Sequence, residues 1–442
     1  MKNIKIIYMA ILGGLAALWL LADPVWSAPY EFFTLRAALL NLSGIVGIAL
    51  MSVGMMLALR PVSIEPFVGG LDKTYRLHKW LGITGLVFSI IHWLLAKGPK
   101  WAVGWGWLER PVHGPAAEQP VAIFRFFSSQ KDLAEALGEW TFYALLLLLV
   151  LALLKQFPYR YFFKTHRLLA IVYLLLVAHS LILMKFSYWG ELLGPLMALL
   201  MAGGTIAAGV SLLRRVGYRY RAVGVIESVF LHSDNHVLRV AIKLTDRWPG
   251  HQAGQFAFVT FDRDEGSHPF TISSSWEGDG RMFFLIKGLG DYTNFLPEML
   301  QPGDLLQLEG PYGQFEFNSG KLQQIWIAGG IGITPFIARM QALADHADGK
   351  RVDLFYCTRE PDEGFINRLR LHSLAAGVRL HVRVDAVDGR LDAQGLIDAV
   401  PDWCSADIWF CGPAGFGQSL RSALLGRGFA GADFHQELFA MR

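Results

Sequence analysis

The stretch Arg76–Ala96, RLHKWLGITGLVFSIIHWLLA, is long and apolar enough to cross a bilayer, yet it carries His78 near one end and His92 near the other. A second stretch, His166–Met184, HRLLAIVYLLLVAHSLILM, repeats the pattern with His166 and His179. A histidine inside a membrane span is costly and marks a functional site. The spacings of 14 and 13 residues correspond, at 1.5 Å per helical residue, to roughly 20 Å along the membrane normal. Two matched pairs at two depths are the layout for two stacked haems. At about 100° per residue, a spacing of 14 leaves His78 and His92 about 40° apart around a helix, whereas 13 leaves His166 and His179 about 140° apart. Tilt, a local distortion or a rotation between the haems must absorb that difference.

Four more stretches have the length and composition of spans, at roughly 4–22, 37–59, 138–154 and 191–213. Lys and Arg cluster at Lys2 and Lys5, from Arg60 to Lys79, from Lys155 to Arg167 and from Arg214 to Arg221, so the positive-inside rule puts both termini in the cytoplasm of an inner-membrane, multi-pass protein. The first stretch reads as a retained anchor, the alternative being a signal peptide cleaved near Trp26-Ser27-Ala28. The outer loop from 97 to 137 holds Trp101, Trp105 and Trp107 and reads as an aromatic belt with a short helix near 131–140 lying on the membrane; a lid or a docking surface is the other reading. Arg36, at the outer end of the second span, is either an interfacial anchor or a positive charge beside the outer haem.

Of 442 residues, 53% are hydrophobic and 17% charged, too apolar for a soluble multidomain protein, and the excess ends near residue 213. A net charge of +3 does not suggest nucleic acid. Cys357, Cys404 and Cys411 lack paired metal-ligand spacing and fit a reducing compartment.

From Tyr218 onward the pattern changes to short alternating runs, Val223–Phe230, Val237–Leu244 and Gln255–Phe261, which predict antiparallel strands of a small barrel. After about Lys321, the strand candidates Ile325–Ala328, Arg351–Cys357, Val378–Val384 and Ile408–Cys411 alternate with helical spacers, which predicts a doubly wound parallel sheet. Domain boundaries are expected at 1–215, 216–320 and 321–442. In the barrel, His268-Pro269-Phe270-Thr271-Ile272-Ser273 offers an imidazole and hydroxyls to a ligand edge and a phosphate. Gly288-Leu289-Gly290-Asp291-Tyr292-Thr293 lets backbone approach an anion at a helix start. A strand running into Gly329-Gly330-Ile331-Gly332-Ile333-Thr334-Pro335 and then a helix is the context of a phosphate-binding turn. Cys411-Gly412-Pro413 ends another strand at the edge where such sheets bind ligands, and Thr358-Arg359, after a third, suits a ribose 2'-phosphate and so NADPH over NADH.

Taken in order, these residues, with Glu309-Gly310-Pro311-Tyr312-Gly313 and Glu437-Leu438-Phe439, resemble the NADPH oxidase and ferric reductase superfamily in its bacterial form. The resemblance implies a six-helix transmembrane di-haem bundle followed by a ferredoxin-reductase-like module, an antiparallel β-barrel plus an α/β parallel sheet. It implies that His78 and His166 clamp an inner b-type haem, and His92 and His179 an outer one. His268 would contact flavin phosphates, with Thr271 near the isoalloxazine of FAD, while Tyr292 and Thr293 hold the pyrophosphate through their backbone. Gly330, Gly332 and Thr334 would bind the nicotinamide dinucleotide, Cys411 would line the hydride-transfer site and Phe439 would stack on the flavin. Electrons would pass from NADPH through FAD and the haems to an extracytoplasmic acceptor, first of all O2 giving superoxide. A ferric chelate, or a separate extracytoplasmic protein docked on the outer loop, is the alternative.

Overall fold

The computed structural model describes residues 2–23, 31–109, 121–154, 156–232 and 235–437. Among the described residues, six helices are long and apolar enough to cross a membrane: α1 Lys2–Ala22, α2 Phe32–Leu57, α3 Leu71–Gly104, α4 Lys131–Leu153, α5 Tyr159–Leu183 and α6 Leu193–Leu212. The 34 residues of α3 extend about 50 Å, well beyond a hydrocarbon core of about 30 Å, so its ends reach past the apolar layer. Small residues let α2 and α6 approach closely, and Ala49, Ala207 and Ala208 are fully buried. A polar clasp sits inside this packing, where Tyr173 of α5 donates to the Met201 carbonyl at 3.2 Å and shares a 2.9 Å hydrogen bond with Ser52.

The short helix of the outer loop is Ala122–Ser129, and 131–140 is the start of α4 instead of a separate surface helix. Across helices, Glu139 pairs with Lys97 of α3 at 2.6 Å, and Glu135 with Lys100 at 3.9 Å.

The chain divides into two compact units, the second being Gly217–Arg442 together with Gly69–Asp72. Six antiparallel strands, β1 Arg221–His232, β2 Val237–Leu244, β3 Phe256–Thr260, β4 His268–Thr271, β5 Arg281–Lys287 and β6 Leu305–Tyr312, run in the order β4-β3-β6-β1-β2-β5. An Ile272–Phe284 bridge joins the two outer strands and closes the barrel. Its strands alternate as the sequence does: in β2, Val240, Ile242 and Leu244 are buried and Arg239, Ala241 and Lys243 are half-buried.

Five parallel strands follow, β7 Gln323–Gly329, β8 Arg351–Thr358, β9 Arg379–Val384, β10 Asp407–Cys411 and β11 Phe434–Gln436, in the order β11-β10-β7-β8-β9. Every residue of β7 is buried, as expected of a central strand covered on both faces. Between them run α8 Thr334–Asp345, α9 Glu363–Ala375 and α10 Ala414–Gly426, while α7 Asp291–Met299 belongs to the barrel part. The strand order reverses between β7 and β10, which makes their carboxyl ends the switch point where open α/β sheets hold ligands.

Candidate functional site

In the membrane unit, α3 and α5 bring the four histidines together as two pairs. The ring centres of His78 and His166 lie 6.0 Å apart at 66°, and those of His92 and His179 lie 6.2 Å apart at 84°. Two imidazoles sharing one metal ion at about 2 Å each put their ring centres about 6 Å apart, so each pair fits one iron between its rings.

The protonation of the rings is set by their neighbours. The Nδ1 atoms of His78, His92 and His179 lie 2.9, 3.0 and 2.7 Å from the carbonyl oxygens of Gly54, Leu40 and Ala134. A carbonyl only accepts, so each Nδ1 carries the proton and each Nε2 keeps its lone pair for a metal. His166 differs, because its Nδ1 is buried with no partner among the described residues, and its ring stacks on Phe162 at 5.0 Å. Gly138 had no signal in the sequence: a Cβ there would overlap the His179 ring.

In the barrel, His268, Pro269, Phe270 and Thr271 form β4, paired with β3 from Val259 to Phe256. The His268 ring stacks on Tyr292 at 4.5 Å, so the two motifs expected to meet a flavin do share one place. Burial holds the His268 imidazole down at about 4, leaving it neutral near pH 7. Ser273 is fully buried and its hydroxyl is committed within the protein, donating to the Thr271 carbonyl at 3.3 Å and accepting the Leu285 N–H at 3.1 Å. Thr293 caps the start of α7, its hydroxyl oxygen accepting the amides of Leu289 and Gly290 at 2.9 and 3.1 Å. The imidazole and the amino end of a nine-residue helix are a donor set that suits flavin phosphates.

At the switch point, Gly329, Gly330 and Gly332 lie beside Cys411, Gly412 and Pro413, because Cys411 pairs with Ala328 in register. Gly332 has to lack a side chain, since a Cβ there would fall on the Cys411 carbonyl. Thr334 and Pro335 open α8, with proline in the first turn where its missing N–H costs nothing. The Cys411 thiol is fully buried; burial raises its ionisation well above the usual value and Glu437 adds to the rise, so the sulfur stays protonated. Thr358, the last residue of β8, turns its hydroxyl onto the Glu360 carbonyl at 3.0 Å, while the exposed Arg359 pairs with Asp385 at 3.5 Å. Lys287 of β5 and Glu360 pair at 3.0 Å across a cleft that Gly330, Ile331 and Thr358 also line. Phe439 lies outside the described residues.

Comparison with known proteins gives the two halves separate descriptions. Residues 43–177 match the family described as ferric reductase like transmembrane component, and residues 222–317 match the oxidoreductase FAD-binding domain. The vanillate O-demethylase oxidoreductase of Pseudomonas sp. (strain HR199 / DSM 7063) is 31% identical over 144 residues, 32% of this chain and 44% of the relative. The carnitine monooxygenase reductase subunit of Escherichia coli (strain K12) is 33% identical over 153 residues, 34% of this chain and 45% of the relative. The chain spans about half the length of these relatives. Among solved structures, the flavohem-like FAD/NAD binding domain of nitric oxide dioxygenase from Vibrio cholerae O1 biovar El Tor aligns with 49% of this chain and 97% of its own, at 21% identity and a TM-score of 0.43. The chain thus joins a ferric-reductase-like transmembrane component to an FAD-binding oxidoreductase domain, the NADPH oxidase and ferric reductase architecture.

Proposed function

We propose that the protein carries electrons from cytosolic NADPH through FAD and two b-type haems to an extracytoplasmic acceptor, O2 giving superoxide. The observation that carries this reading is the pair of histidine pairs, each with ring centres about 6 Å apart, on two helices of a chain that also holds a flavin module. The reading takes 1–215 as the haem domain, 216–320 as the flavin domain and 321–442 as the nicotinamide domain, with both termini on the cytoplasmic side where Lys and Arg cluster.

Each group of residues has a separate task. Gly330, Gly332 and Thr334 turn backbone toward the dinucleotide at the start of α8, and Arg359 offers a guanidinium to a 2'-phosphate. Cys411 keeps its proton and lines the transfer site without charge. The neutral His268 gives a flavin phosphate a hydrogen bond and no charge. When bound, FAD takes a hydride and releases electrons singly, which haem accepts one at a time. His78 with His166, and His92 with His179, would each hold one haem through their ring nitrogens, and a haem so held would supply one-electron transfer to an acceptor without coordinating it.

The test is detergent-purified protein with FAD and NADPH, its haem absorption followed without air and then on admitting it. Reduced b-type bands that bleach with matching superoxide are the expected result. Bands that persist in air and discharge only with a ferric chelate, or only with an added extracytoplasmic protein, would replace oxygen with that acceptor.

A further inference from the structure

Pro99 lies inside α3 and has no N–H, so the Leu95 carbonyl four residues back receives no donor from its own helix. In lipid such a carbonyl is costly unless another group reaches it. Arg36 of α2 reaches it, with Nε donating to Leu95 O at 2.7 Å and Nη2 to Ala96 O at 3.4 Å. One helical turn along α2, the Leu40 carbonyl takes the Nδ1–H of His92 at 3.0 Å, and the Ser43 hydroxyl, which donates to Leu40 O at 2.9 Å, lies 3.2 Å from the same nitrogen. The two anchor points are four residues apart on α2 and three apart on α3, so both lie along the same seam between the helices.

We propose that Arg36 is a positioning residue: its guanidinium replaces the backbone donor that Pro99 removes, and by tying α2 to the last turns of α3 it fixes the His92 ring. The proposal rests on the reading of His92 as an outer-haem ligand. It uses the planar fork of arginine and the presence of the proline, whereas a charge beside the outer haem or an interfacial anchor would use neither.

The experiment is a double-mutant cycle in the full chain with haem bound, comparing R36A, R36K, P99A and R36A/P99A. The inner and outer haems are followed by their low-temperature spin-resonance signals, the outer one being that lost in H92A. R36A and R36K should each speed loss of the outer haem by about tenfold while leaving the inner signal in place. P99A restores the N–H to Leu95, so in that background R36A should change the rate by less than about twofold. Wild-type behaviour of R36K, equal losses from R36A in both backgrounds, or simultaneous loss of both haem signals would each overturn the proposal. If H92A removes no haem, the ligand reading fails instead. The same cycle read as melting temperature then tests the clamp alone, with equal R36A losses in both backgrounds rejecting it.

Discussion

The membrane unit and the soluble unit place their chemistry by opposite means. On α3 and α5 the candidate groups are side chains spaced along rigid helices, and three of the four rings are oriented by backbone carbonyls of other helices. At the ends of β7 and β10 the candidate site is built of backbone itself, and side chains must stay out of the way, as at Gly332 against Cys411. The first kind of site is broken by removing atoms, the second by adding them.

The largest expected effects test that contrast directly. His92→Ala should remove one of the two haems and cut electron delivery to the outer side by about 100-fold or more, with flavin reduction by NADPH unchanged. Haem content per flavin and anaerobic stopped-flow spectra measure both, and undiminished haem would sink the ligand assignment. Gly332→Val adds atoms where the Cys411 carbonyl stands, so NADPH should reduce the flavin about 10-fold to 100-fold more slowly. The dithionite-reduced haem spectrum of that variant should match the wild type, and a change in it would mean that the two kinds of site are not separable.

The contrast also explains what was legible in the sequence. The histidine pairs stood out because a polar ring in an apolar run is costly and here recurs as two matched pairs, and β2 was readable to the residue because half-buried strands alternate. The helical-wheel mismatch between the two pairs proved no obstacle, since both pairs meet at about 6 Å. A wheel fixes the direction of Cβ, while a histidine ring stands beyond Cβ on two rotatable bonds. Long-range pairing was invisible: nothing in the sequence ties Glu139 to Lys97 on another helix, 2.6 Å away. His268–Thr271 advertised its chemistry but not that it is also β4, because a four-residue strand closing a barrel has no periodicity to show.

A smaller effect probes a candidate side chain of the soluble unit. Arg359 is exposed, and its 3.5 Å contact with Asp385 is a surface pair worth little by itself, so the guanidinium is free to meet a phosphate. Arg359→Ala should raise the KM for NADPH by about tenfold and leave NADH nearly untouched. Equal losses for the two nucleotides would remove Arg359 from the 2'-phosphate site and leave that end of the sheet to backbone alone.

The smallest effect is silent at neutral pH. His251 is buried in the barrel part, its Nε2 donating to the Ser274 carbonyl at 3.0 Å, and burial holds it at about 4, as burial does His268. In the unfolded chain both rings return to about 6.5. Between those values the unfolded chain binds protons that the folded one refuses, so their contribution to stability is complete above about pH 6.5. It falls by up to about 1.4 kcal/mol per pH unit for each ring as the pH drops toward 4. His251→Gln should therefore melt like its own pH 7 control more closely than the wild type does when both are taken to pH 5.5, a difference of a few degrees. Glutamine keeps an amide donor in reach of Ser274, so a loss at pH 7 would instead reveal a packing role for the ring. An acid slope unchanged by the substitution would place the titrating group elsewhere, with His268 next in line.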